Sequence, residues 1–133
     1  MIIMINIDSL QLIHSFSIPK ILTWGEKDIE KREYIRKHAI QRFSIPKKVS
    51  EWYAFKITVY RSRTARPLDI ENVPKLIVDA FANSIIQKDK SNYPELFLYP
   101  DDDLRYVRIV HVEGNFVDPG EEKTLIEIYG SHV

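Results

Sequence analysis

Pro74 sits directly ahead of a strongly patterned stretch, and the two together restrict the fold more than any other feature of the chain. A proline is tolerated only in the first turn of a helix. Val73, Leu76, Ile77, Ala80 and Phe81 recur at i, i+3, i+4, i+7 and i+8, the apolar stripe of a helix laid on a core. The pattern therefore predicts a helix beginning near Glu71 or Asn72, with Asn72 as its N-cap. Just upstream the period changes from helix to strand. From Trp52 to Arg61, Tyr53, Phe55, Ile57 and Val59 fall on one side of an alternating run, which predicts a β-strand.

The remaining segments follow the same logic. Residues 2–18 are rich in Ile, Leu and Phe and stop at Pro19, giving one or two short strands. Between Gly25 and Phe43 there is neither Pro nor Gly, and Ile29, Tyr34, Ile35, Ala39, Ile40 and Phe43 approximate a helical stripe. Lys31, Arg32, Arg36, Lys37 and Arg42 are expected on its other face. Ser44 to Ser50 is a connection, and Ser84 to Pro100 is a longer one holding the apolar run Leu96–Tyr99. Tyr106–Val112 and Thr124–Tyr129 are two closing strands joined by a turn at Asp118–Gly120. This order implies an α+β fold: one domain over 1–133, with a mixed sheet of about four strands and two main helices.

Composition narrows the class of protein. A chain of 133 residues, 44% hydrophobic and 29% charged, is the size of one domain and can build a core. The absence of cysteine excludes a disulfide scaffold, thiol chemistry and Cys-ligated zinc. No apolar run is long enough for a transmembrane helix, and the N-terminus lacks the basic region of a signal peptide, so an intracellular (cytoplasmic) domain with no membrane partner is expected. His14, His38, His111 and His132 are scattered, with no zinc-binding spacing.

The net charge of zero conceals a segregation. Residues 31–66 carry eleven cations against two anions, whereas 67–133 carry six cations against thirteen anions. A basic segment followed by an acidic one suits a protein that holds a polyanion beside a carboxylate centre. Pairing of the two halves on the folded surface accounts for the same pattern. On the first reading, Arg36, Lys37, Lys47, Lys48, Arg61, Arg63 and Arg66 contact the polyanion.

The carboxylates cluster by sequence. Asp69 and Glu71 are two residues apart in an extended approach to the helix and can face one point. Lys75 and Asp79 follow Glu71 at four-residue steps along one polar face. Asp101, Asp102 and Asp103 sit just before a strand. Oxygen donors from two segments, with no His or Cys nearby, describe a site for a hard cation, Mg²⁺ with Mn²⁺ as substitute. Such ions can activate water and stabilise charge on a phosphodiester in transit, with a pair of metals about 4 Å apart, while a lysine adds a point charge. Ordinary structural roles also remain open: acidic residues at a positive helix N-terminus, i,i+4 surface pairs and a solvated aspartate turn.

At these residues the chain resembles the RusA-type Holliday junction resolvases. The resemblance rests on Arg66-Pro67-Leu68-Asp69-Ile70-Glu71-Asn72-Val73-Pro74-Lys75, then Asp79-Ala80-Phe81, then Asp102-Asp103 entering a strand through Val107. It implies a homodimeric, Mg²⁺-dependent endonuclease that resolves four-way DNA junctions by paired symmetric nicks, with no organic cofactor. Asp69, Glu71 and Asp103 then match the metal-binding carboxylates, with Asp102 beside them, and Lys75 matches the catalytic lysine. Three features depart from the family pattern. Glu71 stands where Asp is common, the 84–100 link is long, and Val112-Glu113-Gly114 supplies no late strand lysine. A nuclease acting on flaps or forks, or a non-catalytic nucleic-acid-binding module of the same fold, are the alternatives.

Overall fold

The computed structural model describes residues 5–43 and 50–131. A 3-10 turn, Ile7–Ser9, leads into strand β1 (Gln11–Ile18), followed by helix α1 (Asp28–Ala39) and strand β2 (Tyr53–Ser62). A 3-10 turn at Ile70–Asn72 precedes helix α2 (Pro74–Ala80), and helix α3 (Asn83–Asp89) follows at once. After a further 3-10 turn, Pro94–Leu96, strands β3 (Val107–Val117) and β4 (Lys123–Gly130) close the fold. The chain is a single α+β domain: a four-stranded mixed sheet carrying three helices among the described residues.

The strands lie in the order β1-β4-β2-β3, with β2 parallel to β3 and antiparallel to β4. A parallel pair needs a crossover of a dozen or more residues. The stretch from 63 to 106, which includes α2 and α3, supplies it. Ser84–Pro100, expected as a connection, in fact opens with α3. β3 and β4 are consecutive but not neighbours, so the chain must pass over the end of β2. It does so through a turn in which Gly120 takes φ +90°, a conformation that favours glycine. Glu122 ties that turn to the strand it crosses by accepting the Ser62 backbone N–H at 2.9 Å.

Alternation in β2 sends Tyr53, Phe55, Ile57 and Val59 into the main core, where they meet Phe16, Ile18, Ile126 and Ile128 of neighbouring strands. The stripe of α2 packs on this face with Val73, Leu76, Ile77, Ala80 and Phe81 all buried, as its spacing requires. The start of α2 differs from the expected one. Val73, not Asn72, occupies the cap, and Asn72 ends the 3-10 turn that Asp69 caps.

α1 departs furthest from its sequence pattern. Ile29 is 52% exposed, while Arg36 is completely buried. Ile35 and Ala39 are buried and Tyr34, Ile40 and Phe43 pack against the core as the stripe predicts, but Arg32 and Arg36 join that inward face at i, i+3, i+4 and i+7 with Ile35 and Ala39. Arg36 donates to the Ala80 carbonyl at 2.7 Å and pairs with Glu33 at 3.0 Å and Asp89 at 3.1 Å. Arg32 grips Asp89 through two hydrogen bonds, at 2.7 and 2.8 Å. Two arginines thus tie α1 to α3 and to the C-terminal end of α2. The pairing holds the Asp89 carboxyl below its usual range against the opposing effect of burial. Arg36 is therefore a structural cation, not the DNA-contacting one expected from its place in a basic segment.

Candidate functional site

The C-terminal end of α2 is the point from which the acidic site is built. Lys75 and Asp79, one turn apart, carry an ion pair at 3.3 Å between Nζ and Oδ2. Leu76, Ile77 and Ala80 turn inward around them and draw Asp79 down until the residue is only 7% exposed. The segment after α3 is then laid along the same end of the helix by four hydrogen bonds. The Leu98 N–H donates to the Phe81 carbonyl at 2.9 Å, Asn83 N–H to Tyr99 at 2.8 Å and Ser84 N–H to Pro100 at 3.1 Å. The buried Tyr99 hydroxyl donates to the Val78 carbonyl at 2.6 Å. The Ser84 hydroxyl adds a bond to Asp101. This clamp places Asp102 near enough to Asp79 for each carboxyl group to shift the titration of the other.

Two carboxylates in contact cannot both shed their protons freely. Burial foremost, and then the shared hydrogen bond with Asp102, push the Asp79 pKa up to about 6 although Lys75 opposes the rise. Asp102 moves down, chiefly because Asp79 donates to it. Burial, reinforced by both aspartates, raises Tyr99 well above its ordinary value and keeps it a neutral donor. Among the described residues, no donor reaches the buried Oδ1 of Asp79. Neighbouring carboxylates of this kind are the donor type that a hard divalent cation accepts. Mg²⁺ typically takes one or two carboxylates and completes its shell with waters and substrate phosphates. Asp79 and Asp102 fit that mode.

The carboxylates expected from the sequence are arranged differently. Asp69 caps the Ile70–Asn72 turn, its Oδ1 accepting the Glu71 N–H at 3.1 Å, and both residues are exposed. Ile70 packs beside Gly114, in the second half of β3. Asp103 instead lies at the beginning of that strand, its carbonyl accepting from Tyr106 and Val107 N–H at 3.0 Å each. The Asp103 side chain is occupied by Arg105, at 3.0 and 2.7 Å, which holds its pKa below the usual range. Among the described residues no three His, Cys, Asp or Glu side chains come close enough together to hold a metal ion. Asp69, Glu71 and Asp103 are thus not assembled as one ligand set. Of the aspartate triplet, Asp102 is the member that joins Lys75. Asp79 replaces Asp103 as its partner, a role its place on the Glu71–Lys75 face did not by itself disclose.

The basic residues divide into two groups. Arg61 braces the loop after β2, donating to the Arg66 carbonyl at 3.2 and 2.8 Å and lying 3.6 Å from Glu122. Arg63 and Arg66 are exposed, as is Lys37 on α1. Lys47 and Lys48 lie outside the described residues. The loop borders a cavity of about 490 Å3, which is floored in part by Leu68 and Ile70. A further cavity of about 530 Å3, lined by Glu121 and Glu122, lies at the β3–β4 turn and includes none of the Lys75–Asp102 cluster. No helix among the described residues is long and apolar enough to cross a membrane. Compared with family models, curated proteins and solved structures, the chain finds no match in any of the three.

Proposed function

We propose that the protein is a Mg²⁺-dependent, structure-selective DNA endonuclease that nicks four-way junctions. The observation that carries the proposal is the meeting of Lys75, Asp79 and Asp102, drawn from two segments separated by a helix and a loop. In this reading Asp79 and Asp102 hold the divalent ion, which when bound supplies an activated water and offsets charge on the phosphate oxygens. Lys75, whose side chain is 55% exposed, reaches out from the pair and offers its ammonium to a phosphate oxygen. Asp69 and Glu71, exposed on the approach to α2, are further oxygen donors within the same motif. Arg63, Arg66 and Lys37 hold the DNA backbone and offset its repulsion from the acidic centre. A four-way junction is opened by symmetric cuts, and a homodimer with two-fold symmetry would present two such sites at a fixed spacing.

Incubating synthetic four-way junction, flap and plain duplex with Mg²⁺ and with EDTA tests this reading. Symmetric nicks confined to the junction and abolished by EDTA are expected. Nicking of flaps with the junction untouched would transfer the same chemistry to another substrate. A second reading, a nucleic-acid-binding module without turnover, is favoured by the Arg105 clasp on Asp103 and by the two-carboxylate size of the cluster. Tight junction binding without nicks, unchanged by Asp69→Asn or Asp102→Asn, is its signature.

A further inference from the structure

The cavity beside the basic loop has two unlike walls. One is apolar, made by Leu68 and Ile70, and its lip is Phe116, a phenylalanine left 64% exposed near the end of β3. The other is cationic, formed by Arg61, Arg63 and Arg66, and no acidic side chain lines the space. Arg61 is committed to bracing the loop, so Arg63 and Arg66 are the cations that face a ligand. The Arg63 guanidinium lies over the Phe116 ring, 5.0 Å from its centroid. Among the described residues β3 is an edge strand, paired with β2 alone.

An exposed aromatic ring with an arginine over it, and a cationic rim with an apolar floor, suit one chemical unit: a planar base attached to a phosphate. A base inside a duplex shows only its edges, because its faces are covered by its neighbours. Only an unstacked nucleotide could enter a space floored by Leu68 and Ile70. We infer that this cavity is a subsite for one unpaired nucleotide of a DNA strand, its base stacked on Phe116 and its phosphate held by Arg63 and Arg66. The inference deepens the DNA-binding side of the proposed function and rests on it, but it requires no hydrolysis. A branch point supplies unpaired or easily unstacked bases, so the subsite would help the protein to distinguish a junction from plain duplex.

The test uses the full chain in EDTA, where no cutting takes place. A short single-stranded oligonucleotide carrying one 2-aminopurine is titrated with the parent protein, Phe116→Ala and Phe116→Trp, alongside a duplex of the same sequence. Stacking is expected to quench the probe with the parent and with Phe116→Trp. Phe116→Ala should lose the quench and at least about fivefold in single-strand affinity, with duplex affinity unchanged. No fluorescence change with the parent, or equal single-strand affinity for parent and Phe116→Ala, overturns the inference. A parent that quenches the probe yet never nicks a junction with Mg²⁺ supports the subsite and removes the hydrolytic reading, so the two failures are separable.

Discussion

Asp79, on α2, and Asp102, in the loop before β3, shift each other's titration in opposite directions beside Lys75, although they come from different parts of the chain. The segment 98–100 that leads to Asp102 is hydrogen-bonded to Phe81 at the end of α2 and to Asn83 and Ser84 at the start of α3.

The raised pKa of Asp79 makes stability depend on pH in a specific direction. Between the ordinary carboxylate value of 3.8 and about 6, the folded chain retains a proton on Asp79 that the unfolded chain has released. The contribution of Asp79 therefore falls as pH rises through this window and is level above it. Asp102, with its lowered pKa, works in the opposite sense, and its contribution is lost only as pH falls below the ordinary value. Asp79→Asn is expected to gain on the parent by on the order of 1–2 kcal/mol between about pH 5 and pH 7. Urea unfolding at the two pH values measures it, and parallel pH profiles for the two proteins would contradict the raised Asp79 pKa.

Arg36 is expected to matter for folding alone. Replacing it by Ala removes the donor to the Ala80 carbonyl and leaves the buried Asp89 carboxylate with Arg32 as its remaining arginine. Breaking a buried ion pair in this way costs about 3–5 kcal/mol. Chemical denaturation should show that loss, while the fraction that remains folded binds DNA as the parent does. A stable variant with weakened DNA binding would return Arg36 to the surface role its sequence position suggests.

Arg63 and Arg66 should behave in the opposite way. Each is exposed, so truncation to Ala should change stability by no more than about 0.5 kcal/mol. If each contacts a phosphate, its loss lowers the slope of log affinity against log salt by about 0.9 on duplex and about 0.7 on single strands. Arg61→Ala should instead loosen the loop that it braces, and thermal melting separates this from a loss of phosphate contacts.

Lys75 is largely exposed, and its i,i+4 pair with Asp79 adds only about 0.3–0.5 kcal/mol to stability. Lys75→Ala should therefore fold normally and lower the rate of strand cutting more than it lowers affinity. Equal losses in both would reduce it to simple attraction for phosphate.

The fold was legible where one periodicity dominated. The stripe from Val73 to Phe81 and the alternation of Tyr53, Phe55, Ile57 and Val59 appear in the structure as written. In α1 the stripe at Tyr34, Ile35, Ala39, Ile40 and Phe43 meets the core, but Arg32 and Arg36 share that face, and a pattern that counts only apolar residues assigns them to solvent. Their burial depends on Asp89, a partner 57 residues away from Arg32 that no local spacing reveals. α3 was missed because it is a seven-residue helix of mixed composition. At the candidate site, Lys75 and the aspartate triplet were visible as a motif. Which carboxylates meet depends on the hydrogen bonds that fold 98–102 onto α2, and these involve backbone groups. The Arg105 clasp on Asp103 spans only two residues, so it is a local signal that the sequence itself carries.

The most direct measurement compares the parent with Asp102→Asn on a four-way junction under Mg²⁺, recording binding and nicking separately. The parent should cut. The variant should bind as tightly or more tightly, because a negative charge facing phosphate has been removed, yet cut at least about 100-fold more slowly. Undiminished nicking by Asp102→Asn would show that the Lys75–Asp79–Asp102 cluster is not where the phosphodiester is cleaved.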